Sequence, residues 1–259
     1  MTNLRIGIET LSLRQPLKKA LHTASALGAD GVEIDLRREL PAGDLSQTAV
    51  RQVRKLLDDL GLRLASASFP TRRGYEVHQD LERRILATQQ AMKLTYDLGA
   101  RVLVNRVGVV PADAADGRFD RLIQSLALLG ASGERLGVRL AAQGPEGGPE
   151  FARVLQALSA ESIGIDFDPA KLIMDGYAPL ETIAEIGSAV IHVHATDAVR
   201  DLSLGRAVEV ELGRGTADVP AILGRLEELN YLGWLVIKRR DTKDPVTEIG
   251  NAVAFLRSF

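Results

Sequence analysis

Short apolar runs rich in β-branched residues recur along the chain, and several of them follow an apolar residue and a glycine. This phrase occurs at Leu27-Gly28, Leu60-Gly61, Leu98-Gly99, Leu136-Gly137 and Ile186-Gly187. Glycine suits the left-handed position just beyond a helix, so each phrase predicts that a helix ends and a strand begins.

The runs RIGIE, SIGIDFD and GWLVIK complete a set of eight predicted strands, which begin near residues 4, 31, 62, 101, 137, 163, 190 and 234. The segments between them carry apolar residues at helical spacing, as at Leu81, Ile85, Met92 and Leu98. Eight alternating units in about 250 residues predict an α/β fold, a (β/α)8 TIM barrel that spans 1–259 as one domain. A doubly wound open sheet is the alternative. It usually carries a glycine-rich turn after its first strand when it binds a dinucleotide, and the sequence has none there.

The composition narrows the class of protein. Hydrophobic residues make up 46% of the chain and aromatic residues only 4%, so we expect a large aliphatic core. The net charge of −2 argues against a dedicated nucleic-acid-binding protein, which usually has a basic excess. The chain has no cysteine, no apolar run of transmembrane length and no signal-peptide pattern at its start. We therefore expect a cytoplasmic protein that binds neither nucleic acid nor membrane.

Polar residues at the ends of the predicted strands are the candidates for function, because active sites in such barrels lie at the carboxyl ends of the strands. These residues are Glu9, Glu33, Asp35, Asn105, Arg106, Gln143, Asp166, Asp168, Lys171, His192, His194, Asp197, Arg200 and Lys238. Lys238 shares the side of Trp234 and Val236, since strand side chains alternate in direction. If that side faces inward, the last strand delivers an ammonium group to the end of its own core row.

Several longer phrases occur along nearly the whole chain in a characteristic order. They are LERRILATQQAMKLTYDLGARVLV, ERLGVRLAAQ, GIDFDPAKL, VIHVHATD and LGRGTADVPAILGRLEELNYLGWLVIK, followed by Asp244-Pro245. In these phrases the chain resembles the sugar-phosphate isomerase/epimerase superfamily, the xylose-isomerase-like barrels that also include endonuclease-IV-type enzymes. The resemblance is specific for the superfamily and unspecific for a substrate.

The resemblance implies a metal site, with departures at several positions. Members hold one divalent ion, often Mn²⁺, with a Glu ending strand five, an Asp ending strand six, a His on strand seven and a Glu ending strand eight. Asp168 and His194 match two of these ligands. The two glutamates, which also move a proton at a carbon next to a carbonyl, correspond to Gln143 and Lys238. A histidine that usually follows the Asp by three positions corresponds to Lys171.

These departures disfavour the metal. Mn²⁺ and Mg²⁺ prefer hard anionic oxygen ligands, and Lys238 places an ammonium where a carboxylate would be. Two unit charges about 4 Å apart interact by about 4 kcal/mol at an effective dielectric of about 20, and a dication feels about twice that repulsion. We therefore expect no cofactor. A Mn, Mg or Zn ion is implied by the resemblance alone, and Lys238 is expected to take its place beside Asp168 and Gln143.

Lys238, Gln143 and Lys171 are the candidate catalytic residues. An amide cannot exchange a proton usefully near neutral pH, so Gln143 cannot replace the lost glutamate. Lys238 becomes a base only if burial or a nearby cation, such as Lys171, lowers its pKa. Asp168 would oppose this by stabilising the charged ammonium.

Arg200, Arg106, Glu33 and His192 are the candidate substrate-binding residues. Arg200, six positions after His194, matches an arginine of some epimerases, as the resemblance implies. His192 points in the same direction as His194 and is expected to lie deeper, where the alternative is a hydrogen-bonded core histidine.

Arginines follow most of the predicted strands: Arg37, Arg38, Arg72, Arg73, Arg106, Arg200, Arg239 and Arg240. They predict either a basic rim that attracts a phosphorylated or carboxylated ligand, or ordinary exposed arginines. Adjacent pairs in a strand point in opposite directions, so at most about half are expected to face the site.

Three functions remain open from the sequence. The first is an isomerase or epimerase acting on a small sugar or sugar acid, with or without phosphate, at a degenerate metal site. The second is a non-catalytic sugar- or anion-binding barrel. The third is a lyase that forms a Schiff base through a desolvated lysine. The resemblance also implies a homodimer or homotetramer, since both are common in the superfamily.

Overall fold

Eight parallel strands form a closed barrel in the computed structural model of the chain, which describes residues 4–40, 45–113, 115–144, 147–158, 163–201 and 206–259. Numbered in chain order, the barrel strands are β1 (Arg5–Glu9), β2 (Gly31–Asp35), β3 (Arg63–Ser68), β4 (Val102–Arg106), β5 (Arg139–Gln143), β6 (Gly164–Phe167), β7 (Val190–Ala195) and β10 (Trp234–Ile237). Around the barrel their order is β1-β10-β7-β6-β5-β4-β3-β2. The predicted TIM barrel is confirmed. The pairing of Ile6 with Leu235, which joins the first strand to the last, excludes the open sheet.

Helices connect the strands and cover the outside of the barrel. Those described are α1 (Leu17–Ala26), α2 (Gln47–Asp59), α3 (Leu81–Leu98), α4 (Gly117–Leu136), α5 (Gly148–Ala157), α6 (Pro169–Asp175), α7 (Pro179–Ile186), α8 (Val219–Glu228) and α9 (Pro245–Arg257). In α4, for example, Leu122, Leu126 and Leu129 recur at helical spacing and are fully buried in the core. None of the helices in the described ranges is long and apolar enough to cross a membrane.

Four of the five predicted glycine stops have the left-handed conformation that the sequence pattern requires. Gly28, Gly61, Gly99 and Gly137 have φ between +68° and +102°. Gly187 differs, because α7 runs on into a 3₁₀ turn and the residue has φ −57°. A Cβ at Gly187 would lie 2.5 Å from Leu229 Cδ1, so this glycine is explained by close packing against a side chain rather than by a turn.

The second strand shows how the barrel places polar groups inside. All five residues of β2 are buried. Val32 and Ile34 join the hydrophobic core, while Glu33 lies between them in sequence and reaches His194 across the barrel. Strand alternation therefore sends the carboxylate of Glu33 to the interior.

A short antiparallel hairpin lies between β7 and α8, formed by β8 (Asp197–Asp201) and β9 (Arg206–Val210). No pattern in the sequence predicts this hairpin. Its first residue, Asp197, is 1% exposed, and its carboxylate accepts the backbone N–H groups of Gly213 at 3.1 Å, Gly215 at 2.8 Å and Ala217 at 3.0 Å. A Cβ at Gly215 would lie 2.1 Å from Asp197 Oδ1, so only glycine fits there.

Candidate functional site

A cavity of about 570 Å³ opens at the carboxyl ends of the barrel strands, and we call it the mouth. Its cationic side chains are Arg37, Arg38, Arg72, Arg106, Lys171, Lys238 and Arg240, and its carboxylates are Glu9, Glu33, Asp35 and Asp168. Seven lysine and arginine side chains against four carboxylates, before His194 is counted, favour a negatively charged ligand.

Lys238 lies one residue beyond β10 and carries its ammonium group into the mouth, where it pairs with Oδ2 of Asp168. The side chains are 14% and 5% exposed. Thr196 donates to Oδ1 of the same carboxylate at 2.7 Å, and His194 Nδ1 lies 4.0 Å from Oδ2. Burial alone would lower the pKa of Lys238, but Asp168 and Glu9 outweigh it and raise the pKa. The ammonium is therefore charged at neutral pH.

Two carboxylates and two histidines form a buried hydrogen-bonded network, which we call the floor. His192 Nδ1 lies 2.8 Å from Asp166 Oδ1, and His194 Nδ1 lies 2.9 Å from Asp166 Oδ2. The Nε2 atoms of both rings lie 3.3 Å from the carboxylate oxygens of Glu33. Ser66 donates to Glu33 Oε2 at 2.6 Å. Glu33 and His194 line the mouth, whereas His192, Asp166 and Ser66 are not among its lining residues.

In the floor, two acidic groups lie against two basic groups, so their charges compensate each other. Burial opposes ionisation of all four groups, but their mutual contacts prevail. The pKa values of Glu33 and Asp166 lie below their usual range, that of His192 is raised, and that of His194 is raised to about 10. The contacts within the floor therefore favour the charged form of all four groups.

Among the described residues, Glu33, His192 and His194 also form a group whose ligand atoms lie within 4.8 Å of one another, close enough to hold a metal ion. Each ring nitrogen of both histidines already has a hydrogen-bond partner. The network is therefore complete without an ion.

The candidate catalytic residues all line the mouth, but their contacts differ from those expected. Gln143 Nε2 donates to Asp166 Oδ2 at 2.7 Å, so its amide is directed to the floor rather than to Lys238. Lys171 pairs with Asp175 one helical turn further along α6. The lowered pKa that Lys238 would need as a base does not occur, since the pKa is raised.

The candidate substrate-binding residues divide into two groups. Arg106 and Glu33 line the mouth. His192 lies in the floor, 1% exposed, as its position before His194 suggested. Arg200 is exposed on β8 and is not among the residues that line the mouth.

More arginines line the mouth than the alternating direction of strand side chains predicts. Arg37 and Arg38 both line the mouth, because they lie in a turn after β2, where strand alternation no longer applies. Their backbone N–H groups bind Asp35 Oδ1 at 2.8 and 3.0 Å, which fixes the turn. In the described part of the chain, the guanidinium groups of Arg38, Arg72 and Arg106 have no ion-pair partner and are available to a ligand.

A second ion pair in the mouth was missed by sequence reasoning. Arg240 Nη2 pairs with Glu9 Oε1, and Ser12 Oγ donates to Glu9 Oε2. Burial alone would lower the pKa of Arg240, but the hydrogen bonds to Glu9 raise it. Both residues stand at predicted strand ends, but that they pair can be recognised only when β1 and β10 are known to be neighbours. Asp166 also stands at a predicted strand end, and its role likewise depends on which strands are neighbours.

Comparison with curated proteins gives no match. The structure is similar to a xylose isomerase domain protein from Planctomyces limnophilus, with TM-score 0.85, 20% identity, and coverage of 98% of this chain and 96% of that one. It is also similar to the 3-keto-D-glucoside 4-epimerase from E. coli, with TM-score 0.77, 17% identity, and coverage of 99% and 100%.

A third similar structure is a xylose isomerase-like TIM barrel protein from Mycobacterium smegmatis in complex with magnesium. Its TM-score is 0.76, its identity 16%, and the coverage 93% of this chain and 87% of that one. At these identities the likeness shows the fold alone. The family model for the xylose isomerase-like TIM barrel matches residues 21–259. The chain therefore belongs to the xylose isomerase-like TIM barrel family.

Proposed function

We propose that this protein binds a small sugar-like anion, a sugar acid or a sugar phosphate, in the mouth of its barrel, with the ammonium of Lys238 in place of a divalent metal. The observation that carries the proposal is the Lys238–Asp168 ion pair inside a cavity where cations outnumber carboxylates. A ligand oxyanion can bind this ammonium and the unpaired arginines of the rim by charge-assisted hydrogen bonds.

The residues present do not fit the divalent ion that the family implies. Asp168 and His194 stand at two of the four ligand positions, but Asp168 Oδ2 already contacts the Lys238 ammonium. A metal bound to the same oxygen would lie beside a fixed positive charge. Gln143, at the third position, directs its amide N–H to Asp166. Magnesium in the related mycobacterial structure is a property of that protein.

Isomerisation or epimerisation of the bound sugar is the second candidate function. Lys238 favours it, because a charged ammonium in the mouth can donate to a carbonyl oxygen and stabilise negative charge that develops there. Incorporation of deuterium from D₂O into a bound keto sugar tests it directly. A Schiff-base lyase is disfavoured, since the raised pKa of Lys238 keeps the nucleophilic amine protonated.

The first experiment restores the carboxylates of the family. The double variant Gln143→Glu/Lys238→Glu places two acids beside Asp168 and His194. We expect Mn²⁺ to raise the melting temperature of the double variant by several degrees and to leave the wild type unchanged. At an ion concentration about 100 times the Kd, binding adds about 2.7 kcal/mol of stability. Lys243→Glu, which repeats the Lys→Glu change at an exposed residue, is the control for the loss of the lysine charge.

The wild type and the single variant Lys238→Met are then titrated with a panel of hexonates and hexose phosphates. We expect at least one of these anions to bind the wild type and to bind Lys238→Met at least tenfold more weakly. Stoichiometric metal in the purified wild type, or a failure of every anion in the panel to bind, would contradict the proposal.

A further inference from the structure

A second cavity of about 670 Å³ adjoins the mouth, and its lining includes five arginines and one carboxylate. We call it the arginine groove; these residues are Arg37, Arg72, Arg73, Arg83, Arg84 and Asp80. It shares Arg37, Thr71 and Arg72 with the mouth. The two cavities therefore meet along one wall, at the segment that leads from β3 towards α3.

The charges of the arginine groove are only weakly compensated. In the described ranges Arg72 and Arg83 have no ion-pair partner. Arg73 Nη1 lies 3.7 Å from Asp80, and both side chains are about half exposed, which is a loose surface pair. The guanidinium of Arg84 donates to the backbone carbonyl of Gln79, and among the described residues no carboxylate lies within ion-pair distance of it, although Glu76 and Asp80 are near enough to attract it.

The first turn of α3 adds to this positive potential. Asp80 occupies the N-cap position of the helix, but its side chain makes no capping hydrogen bond. Asp80, Arg83 and Arg84 all line the groove, so the groove lies at the positive end of the helix dipole.

Arg37 is held between the two cavities. Its Nη1 donates to the backbone carbonyl of Pro70 at 2.8 Å, and its guanidinium lies 5.4 Å from the centre of the Phe69 ring. An arginine fixed in this way loses less conformational entropy when it binds an oxyanion. It lines both cavities and can bind a ligand that extends from one to the other.

We infer that the arginine groove binds a second anionic group of the ligand whose first part lies in the mouth. Each cavity alone falls within the range of about 300–1,000 Å³ that is usual for ligand sites, so the two together suit an extended ligand. The ligand class is a sugar derivative with two separated oxyanions. This inference rests on the proposed function, because the mouth must bind the first group.

The test compares ligands that share one end and differ at the other. D-Gluconate has one carboxylate, D-glucarate has two, and 6-phosphogluconate has a carboxylate and a phosphate. We expect both doubly charged probes to bind the wild type at least tenfold more tightly than gluconate by calorimetry. Whichever of glucarate and 6-phosphogluconate binds more tightly shows whether the groove prefers a carboxylate or a phosphate.

The double variant Arg73→Gln/Arg83→Gln changes residues that line the groove and not the mouth. It is expected to bind the doubly charged probes as weakly as gluconate and to leave gluconate affinity unchanged. Arg51→Gln/Arg54→Gln, the same pair of changes at two exposed residues of α2, is the matched control and should behave as the wild type.

Equal affinity of the wild type for all three probes, or full retention of the gain in the double variant, would overturn the inference while the proposed function stands. Failure of the wild type to bind any of the three probes, gluconate included, would overturn both the inference and the proposed function.

Discussion

Asp166 holds the floor together, although no ligand in the mouth can reach it directly. Its two oxygens contact the Nδ1 atoms of His192 and His194, and one of them also accepts the amide of Gln143. One carboxylate thus orients both rings and supplies half of the negative charge that faces them. The positions of Glu33 and His194 at the base of the mouth depend on this buried group.

Replacing Asp166 by asparagine is therefore expected to be strongly destabilising. Asp166→Asn leaves two buried imidazolium groups facing a single carboxylate, and loss of one partner of a buried ion pair costs about 3–5 kcal/mol. The free energy of unfolding, from urea titration at pH 7, measures the loss. Asp58→Asn on the exposed side of α2 is the control. A loss below about 1 kcal/mol would mean that the histidines are neutral.

Glu39 gives the molecule a pH dependence near neutrality. It accepts the N–H of Asp35 at 2.9 Å and the hydroxyl of Thr10 at 2.7 Å. Burial raises its pKa to about 7 despite these hydrogen bonds. The folded protein therefore keeps a proton that the unfolded chain releases near pH 4.5. The resulting stabilisation is complete below pH 4.5 and is lost as the pH rises through about 7.

Glu39→Gln should remove this pH dependence. We expect the wild type to lose about 2 kcal/mol of stability between pH 5 and pH 8, after allowance for solvent screening, relative to the variant. Melting temperatures of both proteins across this range measure the difference. Parallel curves for the two proteins would show that Glu39 ionises at its ordinary pKa.

At the scale of elements, a single side chain connects the hairpin of β8 and β9 to the loop before α8. Asp197 Oδ1 accepts the N–H groups of Ala198 and Ala217, and Oδ2 accepts those of Gly213 and Gly215. One carboxylate thus joins the start of the hairpin to the loop that leads into α8. The other two amides of this loop, those of Arg214 and Thr216, donate to backbone carbonyls instead.

Asp197→Asn should release this loop whichever way its amide is oriented. Either orientation places an NH₂ group against two backbone N–H donors, which costs about 1–3 kcal/mol. We expect faster hydrogen exchange at the amides of residues 213 and 215 or at that of residue 217, according to which oxygen the NH₂ group replaces, with the barrel strands unchanged. Unaltered exchange at these amides in the variant would contradict the role assigned to Asp197.

The regular elements follow from local sequence far better than this hairpin does. Strand runs, helical spacing and glycine stops are local signals, and they place all eight barrel strands. The hairpin is stabilised by Asp197, through contacts with residues 16 to 20 positions away. Gly187 likewise packs against Leu229, a neighbour in space rather than in sequence. Contacts of this kind leave no periodic pattern in the sequence.

At the scale of the whole molecule, the site was predictable as a set of residues but not as a set of pairs. Sequence order placed Gln143, Asp168, His194 and Lys238 at one end of the barrel, and all four line the mouth. Which groups would neutralise each other could not be read from the chain. Glu9 and Arg240, for instance, are 231 residues apart and pair only because the barrel closes.

Charge is also distributed unevenly over the molecule. The chain has a net charge of −2, whereas cations predominate in the mouth and in the arginine groove. Positive potential is therefore concentrated at the carboxyl end of the barrel, and an approaching anion is attracted to that end.

The Lys238–Asp168 pair has a consequence for the conditions under which such a protein operates. A bound ion exchanges with its surroundings, so a metal-dependent barrel is only as occupied as the supply of that ion allows. A cation carried on the polypeptide cannot dissociate. Under the proposed function, chelators and a shortage of metal therefore leave ligand affinity unchanged. The binding site has its cation as soon as the chain has folded.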